Sequence, residues 1–378
     1  MTTRYDHCRV CLVSTAHSAF DSRIFWKEAR SLAAAGYDTW VIARADHDEC
    51  VEGVHVVAFP TMKRLVRMVF GPLWMWLKCV RVCANAYHVH DPELLFLALV
   101  LKWSGRKAFY DAHEDLAAQM SAKSYIRLAW MRSGLAHSWT LVQRLVLPQL
   151  DAVVMATPTI AAKTAGRRKC VVRNCVVLAL VDGVQPRGTD HPFVVYAGGL
   201  TRPRGILELI EAAGLLQGQV RLVLLGQWQE ASLEEQCRTL PGWQWTIALG
   251  SQPQVIVYAY MKSALAGLCT LQPFPNAVAS LPIKAFEYMA CDIPMVVSSF
   301  DLWREMYSGC ALFVDPSSPR AIADAIAWLV DHPTEAHAMG TRGRQLVLEK
   351  YSWEAEQVKL IDLYREIVGE PVGKVYPV

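Results

Sequence analysis

Little in this sequence favours export, a metal cage or a nucleic-acid surface. Its eleven cysteines are an odd number scattered without a regular framework, which excludes a fully paired disulfide scaffold and fits reduced thiols in the cytosol. Cys8 and Cys11 form one CxxC, but no second pair stands at zinc-ligand spacing, and CRVCLV reads as a buried first strand. The opening MTTRYDHCRV has no apolar core of the kind a signal peptide needs. Internal repeats and low-complexity tracts are missing. Charged residues are sparse, 19% against 53% hydrophobic, so the chain has ample apolar mass for its cores. With 378 residues it exceeds a comfortable single core, and two domains are expected.

Acidic residues are short in one half only. Residues 1–180 carry 23 Lys and Arg against 14 Asp and Glu, whereas residues 181–378 carry 15 against 21. A basic first half suits an anionic partner such as a phospholipid surface or a lipid diphosphate. Nucleic acid is not expected, because the cations are interleaved with Trp, Leu and Met and no base-reading module is present. Two stretches concentrate this character. Residues 62–83 mix Lys63, Arg64, Arg67, Lys78 and Arg81 with Phe70, Trp74 and Trp76, and residues 123–147 set Lys123, Arg127, Arg132 and Arg144 beside Trp130 and Trp139. Charges interrupt both before the roughly 20 apolar residues a bilayer crossing needs. Each can instead lie in a membrane interface, and the alternative is an ordinary amphipathic helix packed on a sheet.

Apolar runs at 8–15, 39–43, 54–58, 86–89, 107–111 and 152–156 alternate with helical stretches, beginning with a helix over 22–35 closed by Gly36. This is the pattern of a doubly wound parallel sheet. The polar passage 182–192 reads as a linker. A second series of strands and helices follows it: VVYAGG, helices over 205–216 and 229–238, RLVLLG, LCTLQ, a helix from 282 and PMVVSS. The segment 351–368 reads as an amphipathic helix.

The chemistry concentrates at Ser280–Ala290, SLPIKAFEYMA. Pro282 opens a helix, so Lys284 and Glu287 share a face, with Ser280 one turn earlier and Ile283, Phe286 and Ala290 on the opposite, buried side. A helix start with a cation attracts phosphate: free N–H groups and the positive dipole end meet a diphosphate, and Lys284 neutralises it. Glu287 can accept hydrogen bonds from sugar hydroxyls. A surface ion pair is the plainer reading of the same two residues. In GGLTRPRG, Gly198, Gly199 and Gly205 let backbone approach a phosphate, and Arg204 supplies a second cation with Arg202 as a helper.

The segment SLPIKAFEYMACDIPMVVSS resembles the donor-binding segment of retaining glycosyltransferases of family 4, the glycosyl transferases group 1, whose architecture is GT-B. HSAFDSRIFWKEARSLAAAGYDTWVIA, YHVHDPELL at 87–95, YDAHEDL at 110–116, VVYAGGLTRPRGILELIEAA at 194–213 and KYSWEAEQVKLIDLYREIV at 350–368 resemble further family segments, in family order. The resemblance implies an α/β fold of two Rossmann-like domains facing each other across a cleft. Residues 1–182 would bind the acceptor and 192–350 the nucleotide sugar, with helix 353–368 packing back on the first.

The implied activity is a metal-independent hexosyltransferase that retains anomeric configuration. It would take a nucleotide-diphosphate sugar as substrate, without a cofactor, and pass the sugar to a lipid-linked or polysaccharide-precursor acceptor. Glu287 matches the second of two family glutamates; the first falls at Ala279, which leaves Asn276 and Ser280 as the polar neighbours of the sugar. His113 matches the histidine that steadies the transition state, Arg204 and Lys284 carry the diphosphate, and His17, Asp21, Arg23 and Asp91 fall on the acceptor side. Asp91, between His90 and Pro92 ahead of Glu93, also reads as a helix cap, as does Asp21. The expected location is cytoplasmic, peripheral on the inner membrane face. Two rival readings are a non-catalytic GT-B subunit supporting a partner transferase, for which Ala279 speaks, and a nucleotide-sugar epimerase.

Overall fold

A computed structural model of the chain describes residues 8–112, 129–278 and 280–371. They form two compact units. The first runs to Asn174 and resumes at Trp353, and the second spans Cys175–Ser352. The boundary precedes the polar passage because Val176, Val181 and Val184 are buried in a core cluster of the second unit.

The first unit is built on an eight-stranded sheet: β1 (Arg9–Ser18), β2 (Asp38–Arg44), β3 (Glu49–Val51), β4 (Val54–Phe59), β5 (Ala86–Val89), β6 (Lys107–Ala112), β7 (Ala152–Met155) and β8 (Lys169–Val171). Their order is β3-β4-β2-β1-β5-β6-β7-β8, and every neighbouring pair is parallel except β3 with β4. The short apolar runs become these strands because a sheet covered on both faces needs continuous apolar sequence. β5 and β7 are buried along their whole length.

The helix expected over 22–35 has an uneven start. Ile24–Ala29 is a π-helical turn, and only then does α1 (Arg30–Ala34) run as an α-helix. The wider turn brings Lys27 and Glu28 inward together, and both are buried. One face of the sheet carries α2 (Arg64–Val82), α3 (Leu95–Trp103) and the end of α4 (Ala129–Val146). Met75 and Cys79, Leu95 and Ala98, and Val146 share one buried cluster with Cys11, Val13, Tyr87 and Val89.

The second unit has a six-stranded, all-parallel sheet of β9 (Phe193–Ala197), β10 (Arg221–Leu225), β11 (Thr246–Ala248), β12 (Ala266–Cys269), β13 (Met295–Ser298) and β14 (Ala311–Val314), in the order β11-β10-β9-β12-β13-β14. α5 (Ile206–Leu215), α6 (Gln254–Met261) and α7 (Ile283–Ala290) are the helices that matter to its site.

The chain then returns to the first unit as α8 (Trp353–Val368). Glu356, fully buried, accepts from the Arg173 amide at 2.9 Å, the Arg173 guanidinium at 2.8 Å and Lys359 at 2.7 Å. These three donors hold its carboxyl below the usual carboxylate range although burial works the other way. Trp353 Nε1 donates to Ser31 Oγ at 2.8 Å. The Tyr364 ring stacks on Phe109 with centroids 4.5 Å apart.

Strand order locates the functional ends. In each sheet the direction of winding reverses at one point, between β1 and β5 in the first unit and between β9 and β12 in the second. Open α/β sheets bind ligands beyond the carboxyl ends of the strands at such a reversal.

Candidate functional site

At the reversal in the second unit, β9 is followed by Gly198 and Gly199. Gly198 has φ 131°, a conformation that favours glycine. Neighbouring strands press on it: a Cβ added to Gly226 would stand 1.8 Å from the Gly198 carbonyl oxygen. The chain then makes a 3-10 turn, Arg202–Arg204, and Gly205 opens α5 with φ 73°. No side chain fits at Gly205, since a Cβ there would lie 2.3 Å from the Thr270 carbonyl oxygen just beyond β12.

Two cations converge on this loop. A Cβ placed on Gly198 would lie 2.9 Å from Arg204 Nη1 and 3.1 Å from Lys284 Nζ. Arg204 Nη1 donates to the Gly199 carbonyl at 3.3 Å. Lys284 reaches the same point from the first turn of α7, which Pro282 starts without a side-chain cap. Its side chain is buried, and its Nζ lies 3.7 Å from the centroid of the Tyr196 ring. Among the described residues Nζ has no hydrogen-bond partner. An ammonium group with three donors, desolvated and aimed at a glycine backbone beside a guanidinium, is a receptor for an anion.

Glu287, one turn further along α7, faces α6. Its Oε1 accepts from Gln254 Nε2 at 3.0 Å and from the Tyr258 hydroxyl at 3.2 Å. Burial, and next the Glu287 charge, push the Tyr258 phenol upward, so it stays a donor. Ser280 is used locally: its Oγ donates to the Ala277 carbonyl at 3.1 Å, and its own carbonyl accepts from Trp303 Nε1 at 2.7 Å. Asn276 falls in the short helix Pro275–Val278. Arg202 does not join Arg204. It donates to Gln236 Oε1 at 2.6 Å and borders an open cavity of about 370 Å³ lined also by Pro203, Glu208, Gln272 and Phe274.

At the reversal in the first unit, β1 leaves regular pairing between Val13 and Ser18. Asp91, just past β5, organises the loosened strand: Oδ2 accepts from Ser14 Oγ at 2.9 Å, from the Thr15 amide, from Thr15 Oγ1 at 3.0 Å and from the Ala16 amide at 3.0 Å. Asp91 therefore holds the turn that carries His17. His17 Nε2 lies 3.7 Å from Asp91 Oδ1 and its Nδ1 lies 3.4 Å from Asp21 Oδ2. Asp21 also accepts from the Arg23 and Ile24 amides at 2.8 and 3.0 Å, the capping role. Burial works against its charge, yet the His17 and backbone hydrogen bonds hold its carboxyl far below the usual range.

Arg23 departs from the acceptor-side expectation. It is buried, with Nε 2.9 Å and Nη2 2.8 Å from Asp111 Oδ2 and Nε 3.0 Å from Glu28 Oε1. A buried guanidinium between two carboxylates is committed to the interior. Around it lie His88, whose Nδ1 is 3.0 Å from the Tyr364 hydroxyl, and His90, whose Nε2 is 3.5 Å from Glu28 Oε2. Burial pushes Glu28 well above the carboxylate range and His88 down to about 4. Both shifts favour the uncharged forms beside the Arg23–Asp111 pair. His113 lies outside the described residues.

Sequence reasoning passed over Tyr196, Gln254, Tyr258 and Glu28, because a side chain's partner across strands or between helices leaves no mark in local spacing. It also passed over one Asp-x-Asp triplet, Asp46-His47-Asp48. This triplet is exposed between β2 and β3, where Asp48 accepts the Ala58 amide at 2.7 Å. All eleven cysteines are free thiols, and Cys11 of the CxxC is buried in β1.

Residues 182–346 match the family described as glycosyl transferases group 1. The alpha-maltose-1-phosphate synthase of Mycobacterium tuberculosis is 24% identical over 205 residues, 49% of this chain and 50% of the relative. The chain thus spans about half the length of the curated relatives it matches. Sucrose-phosphate synthase from Thermosynechococcus elongatus superposes with TM-score 0.73 at 18% identity, covering 95% of this chain and 98% of that one. An alpha,alpha-trehalose-phosphate synthase (UDP-forming) from Burkholderia xenovorans, solved with glucose-6-phosphate, gives 0.67 at 14%, covering 94% and 99%. The GT-B fold is therefore shared along nearly the whole chain, and residues 182–346 match the glycosyl transferases group 1.

Proposed function

We propose that the protein moves a sugar from a nucleotide-diphosphate sugar to a hydroxyl of a lipid-linked or polysaccharide-precursor acceptor, retaining anomeric configuration and using fixed cations in place of a metal. The observation that carries this reading is the convergence of Arg204 Nη1 and Lys284 Nζ on the Gly198 backbone. In sugar transfer, negative charge grows on the leaving diphosphate as the anomeric carbon becomes oxocarbenium-like. Groups already held where that charge develops lower the barrier most. Lys284 is suited to this, being desolvated and braced by Tyr196 before any substrate arrives.

The other residues take supporting roles. Gly198 and Gly199 admit the phosphates, and Glu287, oriented by Gln254 and Tyr258, accepts from ribose hydroxyls. Asn276 and Ser280 stand near the sugar in place of the glutamate absent at Ala279. His113 steadies the transition state. His17, held between Asp21 and Asp91, faces the acceptor. Retention follows from attack on the face the diphosphate leaves, the leaving phosphate oxygen taking the acceptor's proton as the new glycosidic bond forms. The similarity to sugar-phosphate synthases, one of them UDP-forming by its name, supports a nucleotide-sugar donor. The basic, tryptophan-rich first half supports an acceptor met at the cytoplasmic face of a membrane.

Thermal stabilisation by a panel of nucleoside diphosphates and nucleotide sugars tests the proposal. A shift with one nucleotide class, lost in Lys284→Ala and in Glu287→Ala, is expected. An unchanged shift in Lys284→Ala would overturn the donor site.

A further inference from the structure

α2 has more apolar surface than its packing uses. Gly71, Met75, Cys79 and Val82 form the one buried row it turns toward the sheet. At Gly71 an added Cβ would lie 3.4 Å from Thr15 Cγ2. Around the rest of the helix, Leu65, Val69, Phe70, Leu73, Trp74 and Val80 are between 49% and 78% exposed. α3 presents Phe96 and Trp103, and α4 presents Leu141 and Leu145, all more than half exposed. These helices cover the same side of the sheet, since their inner residues share one core cluster.

The charges carried by these three helices are of one sign. No Asp or Glu occurs from Gly53 to His90, from Leu94 to Tyr110, or within α4, while Lys63, Arg64, Arg81, Lys107 and Arg144 stand exposed among the apolar groups. Among the described residues no helix is long and apolar enough to cross a membrane. Indole and aliphatic groups rimmed by cations complement an anionic bilayer surface, and Asp151, the carboxylate next to α4, is mostly buried and paired with Lys102 at 2.6 Å.

The helix is also wired to the turn that carries His17. Arg67, on the inner flank of α2, has Nε 2.8 Å from Glu93 Oε1. The same oxygen accepts from Thr15 Oγ1 at 2.9 Å, and Thr15 is bound to Asp91. We propose that α2, with the exposed side of α3, docks on an anionic phospholipid surface, and that the Arg67–Glu93–Thr15 contacts transmit docking to the Thr15–His17 turn. The docking stands on the surface itself. Only the purpose of the link rests on the acceptor-side reading of that turn.

Sedimentation with phosphatidylcholine vesicles, with and without phosphatidylglycerol, tests the docking. Binding should require phosphatidylglycerol, weaken with salt, and fall about tenfold or more in Leu73→Glu/Trp74→Glu, whose sites are exposed and whose melting temperature should hold. No binding by the native chain overturns docking. So does a native dimer that this variant dissociates without any vesicle binding, since the face would then serve self-association. For the link, hydrogen exchange on vesicles should slow at the amides of both α2 and residues 15–21. Glu93→Gln should abolish the second effect and spare the first. Slowing at residues 15–21 that persists in Glu93→Gln, or that never occurs in a bound native chain, overturns the link. Nucleotide-induced stabilisation without vesicles reads the transferase assignment separately.

Discussion

The Lys284 ammonium stands 3.7 Å above the ring of Tyr196, two residues before Gly198 on the strand that leads into the loop it serves. The ring holds the charge without consuming its hydrogen-bond donors, so the group is placed yet still able to bind. Tyr196→Leu should keep the fold and weaken nucleotide binding several-fold. Lys284→Ala should lower kcat/KM about 100-fold or more, as expected for one preorganised donor at a developing charge. Calorimetric titration and steady-state rates would show whether the two variants rank this way.

Gly198→Ala should be worse than either for binding. The added methyl would stand 2.9 Å from Arg204 Nη1 at φ 131°, so strain of about 1–3 kcal/mol is expected along with displaced cations. A lowered melting temperature together with no nucleotide-induced shift is the expected result.

The Arg23 network predicts an asymmetry. Glu28→Gln should be nearly neutral, because burial favours the uncharged form of Glu28. Arg23→Met, which strands the Asp111 charge, should cost about 3–5 kcal/mol. Chemical denaturation of the two variants measures this, and equal losses would show that Glu28 is ionised.

His88 makes the first unit sensitive to acid. Its folded value is about 4 against an ordinary 6.5. The unfolded chain therefore binds the proton more readily between those values, and the stability from the neutral form, present above the upper value, is lost as pH falls through that window. Below about 4 this contribution levels off. Denaturation midpoints across the window should fall in the native chain and flatten in His88→Gln.

Much of this was legible in the sequence. The alternation of short apolar runs with amphipathic stretches specified parallel, doubly wound sheets, because strands covered on both faces must be apolar throughout. The Pro282 helix start and the glycine loop were legible because each is a local backbone requirement. The burial of Lys284 was not: it depends on Tyr196, far away in the chain, and on the absence of a side chain at Gly198. Gln254 and Tyr258 meet Glu287 across 33 and 29 residues, which no periodicity encodes. Arg23 was expected on the acceptor side, in the loop beside Asp21. The π-helical turn that buries Glu28 and Lys27 beneath it leaves no signature in composition. The basic, tryptophan-rich helix was readable, but not that only four of its residues face inward.

The return of α8 has a consequence for how the protein is made. Tyr364 stacks on Phe109 and meets His88, and Glu356 neutralises Arg173, so the first unit is completed by a segment translated after the whole of the second. On the ribosome the usual order is inverted. The second unit can close as a continuous stretch, while the first waits with a charged seam uncovered until residues beyond 352 emerge. A pause or cut anywhere in the second unit would therefore be felt in the first.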